Sequence, residues 1–266
     1  MASVSFIHMS DIHFLLHAEP GGLGALLCNE LHPIRNVCGC LCAEKKDKPG
    51  FVLITGDLAD NGGAEEYRAL RRTLDEQLDG IPLVTLPGNH DDRTAYCSAF
   101  LGIEPREAVG SQCTVGGLRI VTLDTGRGMQ GEISGRQHEW LRSILSEPAP
   151  MGTLLALHHS LVPGPGGFAA TRYDPFFYEL IAQSDVIGIF CGHTHQNCIG
   201  QFAQKPCITA DSMAFTLKVN GDAALCENRT AYNLVEVCDG NLCVQIKQLT
   251  PSCDVAVSLS IDQLNF

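Results

Sequence analysis

The sequence predicts an α/β fold of two stacked β-sheets with helices outside, and three observations predict it. Five short runs are apolar without alternation, "VSFIHM" (4–9), "FVLIT" (51–55), "PLVTL" (82–86), "TLLAL" (153–157) and "DVIGIF" (185–190), as in strands buried on both faces. Amphipathic helical segments fall between them. After residue 200 the chain turns strand-rich, with "AFTLKV", "AYNLVEV" and "LCVQIKQL" separated by turn residues, which suggests an antiparallel or mixed second sheet.

Each helix has its own signal. In "AEEYRALRRTLDEQL" (64–78), Tyr67, Leu70, Leu74 and Leu78 recur at spacings of three and four, so one stripe packs on a sheet. "SGRQHEWLRSIL" opens with Ser134 and Gln137 at capping-box spacing and then aligns Trp140, Leu141, Ile144 and Leu145. "DPFFYELIAQ" offers Asp174 as cap and Pro175 at the first helical position. No repeat, low-complexity run or clear linker interrupts the 266 residues. One domain over 1–266 is therefore expected, with the ligand-bearing core in 1–200 and the strand-rich part, 201–266, completing the second sheet.

Composition narrows the function classes. With 45% hydrophobic and 18% charged residues the chain suits a packed core. The opening "MASVSFIHMSD" lacks a secretory pattern, and no apolar run approaches the roughly 18 residues of a membrane helix, so a soluble cytoplasmic protein is expected. A formal charge of −12 argues against a nucleic-acid polymer or an anionic membrane as partner. Thirteen cysteines, an odd number with Cys38, Cys40 and Cys42 crowded together, fit reduced thiols better than a disulfide scaffold.

The chemistry lies at the strand ends. "IHMSDIH" delivers Asp11 and His13, "LITGD" Asp57, "TLPGNHDD" Asn89, His90 and Asp91, "LALHHS" His158 and His159, and "IFCGHTH" His193 and His195. Taken singly, each reads as a turn residue or a hydrogen-bonded histidine. Five strand ends carrying such residues read as one site, because α/β sheets bind ligands at the carboxyl ends of their strands. Gly56, Gly88 and Gly192 each precede a candidate ligand and would give the turns their freedom of φ. Asp, Asn and His donors suit Mn, Fe, Zn or Co, and seven of them exceed what one tetrahedral ion takes but suit two ions sharing a carboxylate. Read alone, "CGHTHQNC" (191–198) could be a thiolate clip through Cys191 and Cys198; the other four strand ends favour the open site.

In their order and separation, "DIH", "GD", "GNHD", "HH" and "GHTH" resemble the calcineurin-like metallophosphoesterases. The finer text, "TGDLADNGGAEEY" and "PGNHDDR", is similar to the branch with class III cyclic nucleotide phosphodiesterases and glycerophosphodiesterases. The resemblance implies a four-layer αββα sandwich. It also implies a first metal on Asp11, His13, Asp57 and His195, and a second on Asp57, Asn89, His158 and His193, with Asp57 bridging. Between His158 and His159 it favours the first, which stands two residues before the place where the family has proline and this chain has Ser160. His90 becomes the general acid and Asp91 the group that orients its imidazole. The implied reaction is in-line attack on a small phosphodiester by a hydroxide bridging the two ions, with a 3′,5′-cyclic nucleotide such as cyclic AMP as leading substrate. A glycerophosphodiesterase, a phosphomonoesterase and a metal-free protein-binding scaffold stay as alternatives, and a homodimer is left open. Arg127, Arg136 and Arg172 lie in loops that could touch phosphate, though each reads first as a solvated surface residue.

Overall fold

The computed structural model describes residues 3–17, 33–60, 62–106, 110–250 and 255–260. Strand β1 (Ser3–Met9) is followed by α1 (Pro33–Glu44), β2 (Phe51–Thr55), α2 (Ala64–Leu78) and β3 (Leu83–Leu86). A short helix α3 (Arg93–Ala95) runs into a π-helical turn over Tyr96–Leu101. Next come β4 (Ser111–Val115), β5 (Leu118–Leu123), α4 (Gly135–Leu145), β6 (Thr153–Leu157), α5 (Pro175–Gln183) and β7 (Val186–Cys191). The rest is strand: β8 (Cys198–Phe202), β9 (Lys205–Thr209), β10 (Thr216–Asn220), β11 (Ala223–Glu227), β12 (Thr230–Cys238), β13 (Asn241–Thr250) and β14 (Val255–Ser260).

Two mixed sheets stack, with strand orders β13-β12-β1-β2-β3 and β4-β5-β6-β7-β9-β8. Alternation along the apolar runs explains why both faces had to be apolar. From β1, β2, β6 and β7, the side chains of Phe6, Phe51, Leu53, Leu154, Ala156 and Phe190 fill the space between the sheets. Their neighbours Ile7, Met9, Val52 and Ile54 pack under α1 and α2, and Leu155, Leu157, Ile189 and Cys191 pack under α4 and α5. The result is helices, sheet, sheet, helices.

The predicted helix faces are the buried ones. Tyr67, Leu70, Leu74 and Leu78 of α2 are buried, Ser134 and Gln137 form the capping box of α4, and Asp174 accepts from Phe176 N at 2.9 Å. Trp140 packs against its cluster while staying partly exposed.

The segment after residue 200 departs from expectation. Its strands do not complete one sheet; β9 and β8 join the second sheet, β12 and β13 extend the first beside β1, and β10, β11 and β14 form a separate three-stranded sheet. Residues 251–254 and 261–266 lie outside the described set. β12 pairs antiparallel along β1 from Ser3↔Cys238 to His8↔Asn233, closing an edge that would otherwise leave backbone groups unpaired. Val235 and Val237 thereby enter the inter-sheet core. Alternation identifies a strand's buried face but not the edge it joins. Among the described residues no helix is long and apolar enough to cross a membrane.

Candidate metal centre

The loops that leave β1, β2, β3, β6 and β7 meet where the two sheets stack. Asp11 N donates to Gly56 O at 3.0 Å and His13 N to Asp57 O at 2.9 Å, so the first two loops run side by side. His193 N donates to both carboxylate oxygens of Asp11, at 3.1 and 3.0 Å, and Gly192 N to His158 O at 2.9 Å. His90 N donates to Asp57 Oδ1 at 2.9 Å. Asp11, His13, Asp57, Asn89, His158, His193 and His195 are all buried, none more than 5% exposed.

Backbone conformation marks the same residues. Asp11, His13, Asp57, His193 and His195 have φ of 54°, 48°, 49°, 72° and 52°, a left-handed region that non-glycine residues rarely adopt and that marks functional loops. Of the preceding glycines, one does the job expected and two do another. Gly56 has φ 97°, but Gly88 and Gly192 are outside the positive-φ region and are needed for space. A Cβ at Gly88 would collide with Asp57 Oδ1, and one at Gly192 with Ser10 Oγ.

Hydrogen bonding fixes the tautomer of each imidazole. His158 Nδ1 donates to Thr55 O at 2.7 Å, His195 Nδ1 to Phe215 O at 3.0 Å and His193 Nε2 to Met129 O at 3.1 Å, while His13 Nδ1 faces Asp60 Oδ1 at 3.5 Å. A nitrogen that donates leaves its ring partner with a lone pair, which is how outer contacts orient a metal-binding histidine. The remaining nitrogens converge. His158 Nε2 lies 3.2 Å from Asp57 Oδ2 and 3.0 Å from Asn89 Oδ1, and His195 Nε2 lies 3.4 Å from Asp11 Oδ1. His13 Nε2 stands 3.6 Å from Asp57 Oδ2 and 3.0 Å from His195 Nε2.

This arrangement fits bound cations. Two imidazole nitrogens facing each other at 3.0 Å, each with its ring partner engaged elsewhere, repel unless a proton or cation sits between them. Burial by itself disfavours a charge on His13, but Asp60, Asp57 and Asp11 outweigh it and raise its pKa to about 9. Burial likewise opposes charge on His158, and Asp57 foremost reverses the effect, again to about 9. Burial raises Asp57, yet His158, His90 and His13 pull it well below the ordinary carboxylate value. The pocket is thus built to concentrate positive charge, which a divalent ion supplies by displacing those protons. Groups of ligand atoms within 4.8 Å include Asp11, His13 and His195; His13, Asp57 and His90; Asp11, Asp57 and His158; and His158, His159 and His193. Asp11, His13, Asp57 and His158 each belong to two of them, so the groups overlap into one cluster.

The support expected of Asp91 belongs to Asp60. His90 Nδ1 lies 2.6 Å from Asp60 Oδ1, in the "LAD" that follows the "GD" motif. Asp91 instead accepts from Leu58 N and Ala59 N at 3.1 Å, Gly88 N at 2.8 Å and Tyr67 Oη at 2.5 Å. It is a strut that fixes the loop carrying Asp57. Arg93 is a second residue that the motifs did not single out. It pairs with Asp124 at 2.6 Å and donates to Gly88 O and to Asp91 O, pinning the loop after β3 to the opposite sheet.

His159 lies beside His193 but has both nitrogens occupied, its Nδ1 2.7 Å from Thr125 Oγ1 and its Nε2 2.9 Å from Gly128 O. The Nε2 of His158, by contrast, faces the other ligand-type groups, Asp57 Oδ2 at 3.2 Å and Asn89 Oδ1 at 3.0 Å, which favours His158 as the donor. Cys191 Sγ faces Cys207 Sγ at 3.9 Å, and neither Cys191 nor Cys198 joins a metal-type group among the described residues. Arg172 pairs with Glu132 at 2.9 Å on the surface, Arg127 lies 3.8 Å from Asp92, and Arg136 is exposed.

Comparison with known proteins agrees with this geometry. A relative from Rhodococcus erythropolis, named a probable cyclic nucleotide phosphodiesterase, is 31% identical over 268 residues, covering 97% of this chain and 87% of the relative. A cAMP/cGMP dual specificity phosphodiesterase of Mycobacterium tuberculosis is 36% identical over 178 residues, covering 64% of this chain and 56% of its own. Among solved structures, a dimetal phosphatase from Danio rerio shares the fold with a TM-score of 0.61 at 12% identity, over 91% of this chain and 98% of that one. The family model for calcineurin-like phosphoesterases matches residues 4–197, the stretch that holds every converging donor. The chain belongs to the calcineurin-like phosphoesterase family.

Proposed function

We propose that this protein is a two-metal phosphodiesterase that hydrolyses a small phosphodiester, foremost a 3′,5′-cyclic nucleotide such as cyclic AMP. One observation carries the reading: four imidazoles with their outer nitrogens engaged converge with Asp11, Asp57 and Asn89, and Asp57 faces His13 and His158 at once, at 3.6 and 3.2 Å. Asp11, His13, Asp57 and His195 would hold one ion, and Asp57, Asn89, His158 and His193 the other, drawn from Mn, Fe, Zn and Co. Bound there, the pair supplies charge for the phosphoryl oxygens and a nucleophilic water at neutral pH.

The remaining chemistry belongs to the chain. His90 is 4% exposed and its Nδ1 is held by Asp60 at 2.6 Å, which directs Nε2 as the donor to the leaving oxygen. Such a general acid contributes on the order of 10²–10⁴-fold. Asp60 keeps the ring in one orientation and one tautomer. The names of the two bacterial relatives support a cyclic nucleotide over a monoester, and the completeness of the donor set speaks against a metal-free scaffold.

The test is kcat/KM of the metal-loaded protein across cyclic AMP, cyclic GMP, glycerophosphodiesters and p-nitrophenyl mono- and diesters. Cyclic nucleotides are expected to lead. A protein that prefers the monoester, or that retains no metal after loading and dialysis, overturns the proposal.

A further inference from the structure

Two loops bring partly exposed apolar residues beside His193. The loop after β5 carries Met129, whose carbonyl holds His193 Nε2 at 3.1 Å while its residue is 43% exposed. The loop after β6 carries Phe168, partly exposed, whose ring stands edge-on to the His193 imidazole with centroids 5.0 Å apart. Both therefore border the same proposed ligand. Below, Phe168 rests on the cluster of Ala214, Phe215 and Leu217.

These loops are held in place. Arg172 N donates to Gly131 O at 2.7 Å and Ile133 N to Arg172 O at 2.8 Å, and Gln130 Nε2 donates to Ala170 O at 2.8 Å. Gly164 N donates to Phe168 O at 2.9 Å, and a Cβ at Gly164 would come within 2.7 Å of Thr194 Cγ2. The loop thus lies directly on the residue between His193 and His195. The loop that carries the aromatic ring is thus already ordered, which lowers the cost of binding.

We infer that Phe168 and Met129 form an apolar shelf that receives an aromatic group of the ester, a nucleobase in particular, and so sets the enzyme's preference against small polyol esters. The inference rests on the phosphodiesterase reading and deepens it by naming the side chains that would select the substrate. Phe168 offers a π face for a flat ring, and the thioether of Met129 adapts to its edge.

The test compares wild type, Phe168→Ala, Phe168→Leu and Met129→Ala, each first shown to melt like wild type. The ratio of kcat/KM for cyclic AMP to that for glycerophosphoethanolamine should fall about tenfold in Phe168→Ala, the scale of base stacking on an aromatic side chain, with Phe168→Leu between it and wild type. By calorimetry on the metal-loaded protein, AMP should bind about tenfold more weakly to Phe168→Ala while inorganic phosphate shifts far less. An unchanged ratio in a protein that hydrolyses both esters overturns the shelf and leaves the phosphodiesterase reading intact. AMP binding that depends on Phe168 in a protein hydrolysing neither ester upholds the shelf and refutes the activity. Equal weakening of AMP and phosphate also overturns it.

Discussion

Gly192→Ala is expected to disable the centre by displacing its most densely tied loop. Gly192 N donates to His158 O, and Gly192 O accepts from Thr194 N, both at 2.9 Å. A methyl group there would collide with Ser10 Oγ and stand 2.7 Å from Asp11 Oδ2, where ordinary contact begins at 3.4 Å. Asp11 cannot simply yield, because its carboxylate accepts from His193 N. Relief needs a shift of about 0.7 Å or more, a third of a metal–ligand bond of about 2.1 Å. Overpacking of this kind costs about 1–3 kcal/mol, and misplacing catalytic groups by an ångström can cost about 10²-fold in rate. Elemental analysis should find fewer than two ions per chain, with a lowered melting temperature. Gly39→Ala is the matched control: it lies exposed in α1 with nothing within 4 Å of the new Cβ, so it should stabilise by about 0.5–1 kcal/mol. A Gly192→Ala protein with two ions and kcat/KM within about twofold of wild type would refute the steric argument.

Three further outcomes are expected. Asp60→Asn, by freeing the His90 ring held at 2.6 Å, should lower kcat for an alkyl-leaving diester about tenfold or more while a p-nitrophenyl diester, which needs little proton donation, loses much less; equal losses count against the dyad. Asp57→Asn should weaken retention of both ions, because Asp57 faces both His13 and His158, whereas His195→Ala, whose residue groups only with Asp11 and His13, should affect mainly one; metal content after dialysis decides. Asp211 is 2% exposed, and its burial, opposed by Thr216 and Arg229, raises its pKa to about 7. A carboxyl raised in the folded state favours folding at low pH, and that contribution is lost as pH rises from about 4 through 7, by up to about 4 kcal/mol. Urea midpoints of the metal-free protein should therefore drop over that range, and Asp211→Asn should flatten the profile; parallel profiles for the two proteins would contradict the raised pKa.

The strands and ligand-type residues were legible because strong physical constraints write them into short stretches. A strand covered on both sides needs an uninterrupted apolar run, as in "FVLIT", and a metal site needs specific donor atoms at the ends of such runs. What the sequence hid depends on contacts between distant segments. Asp60 looks like any loop acid until the fold brings it to His90, thirty positions away, and Asp91, adjacent to His90 in sequence, bonds to the backbone at Leu58, Ala59 and Gly88 instead. The destinations of β10 to β14 were hidden for a related reason: period-two patterning reports burial and is silent on which open edge a strand will fill. Arg93 shows the signal that could have been used, a basic residue directly after a ligand motif in an otherwise acidic chain.

The two stacked sheets divide the donors between them. The strands of one sheet deliver Asp11, His13, Asp57 and Asn89, and those of the other deliver His158, His193 and His195. Residues 182 apart in sequence, such as Asp11 and His193, are joined only in the folded chain. During synthesis, the N-terminal donors therefore emerge without the partners needed to complete the centre, and metallation must wait until β7 has been made and has docked. Bound ions would then act as a clasp between the two halves of the chain, adding their binding energy to the closure of its longest-range contacts. Amide exchange at Gly56, just after a strand of one sheet, and Gly192, just after a strand of the other, should accordingly slow together when metal is added.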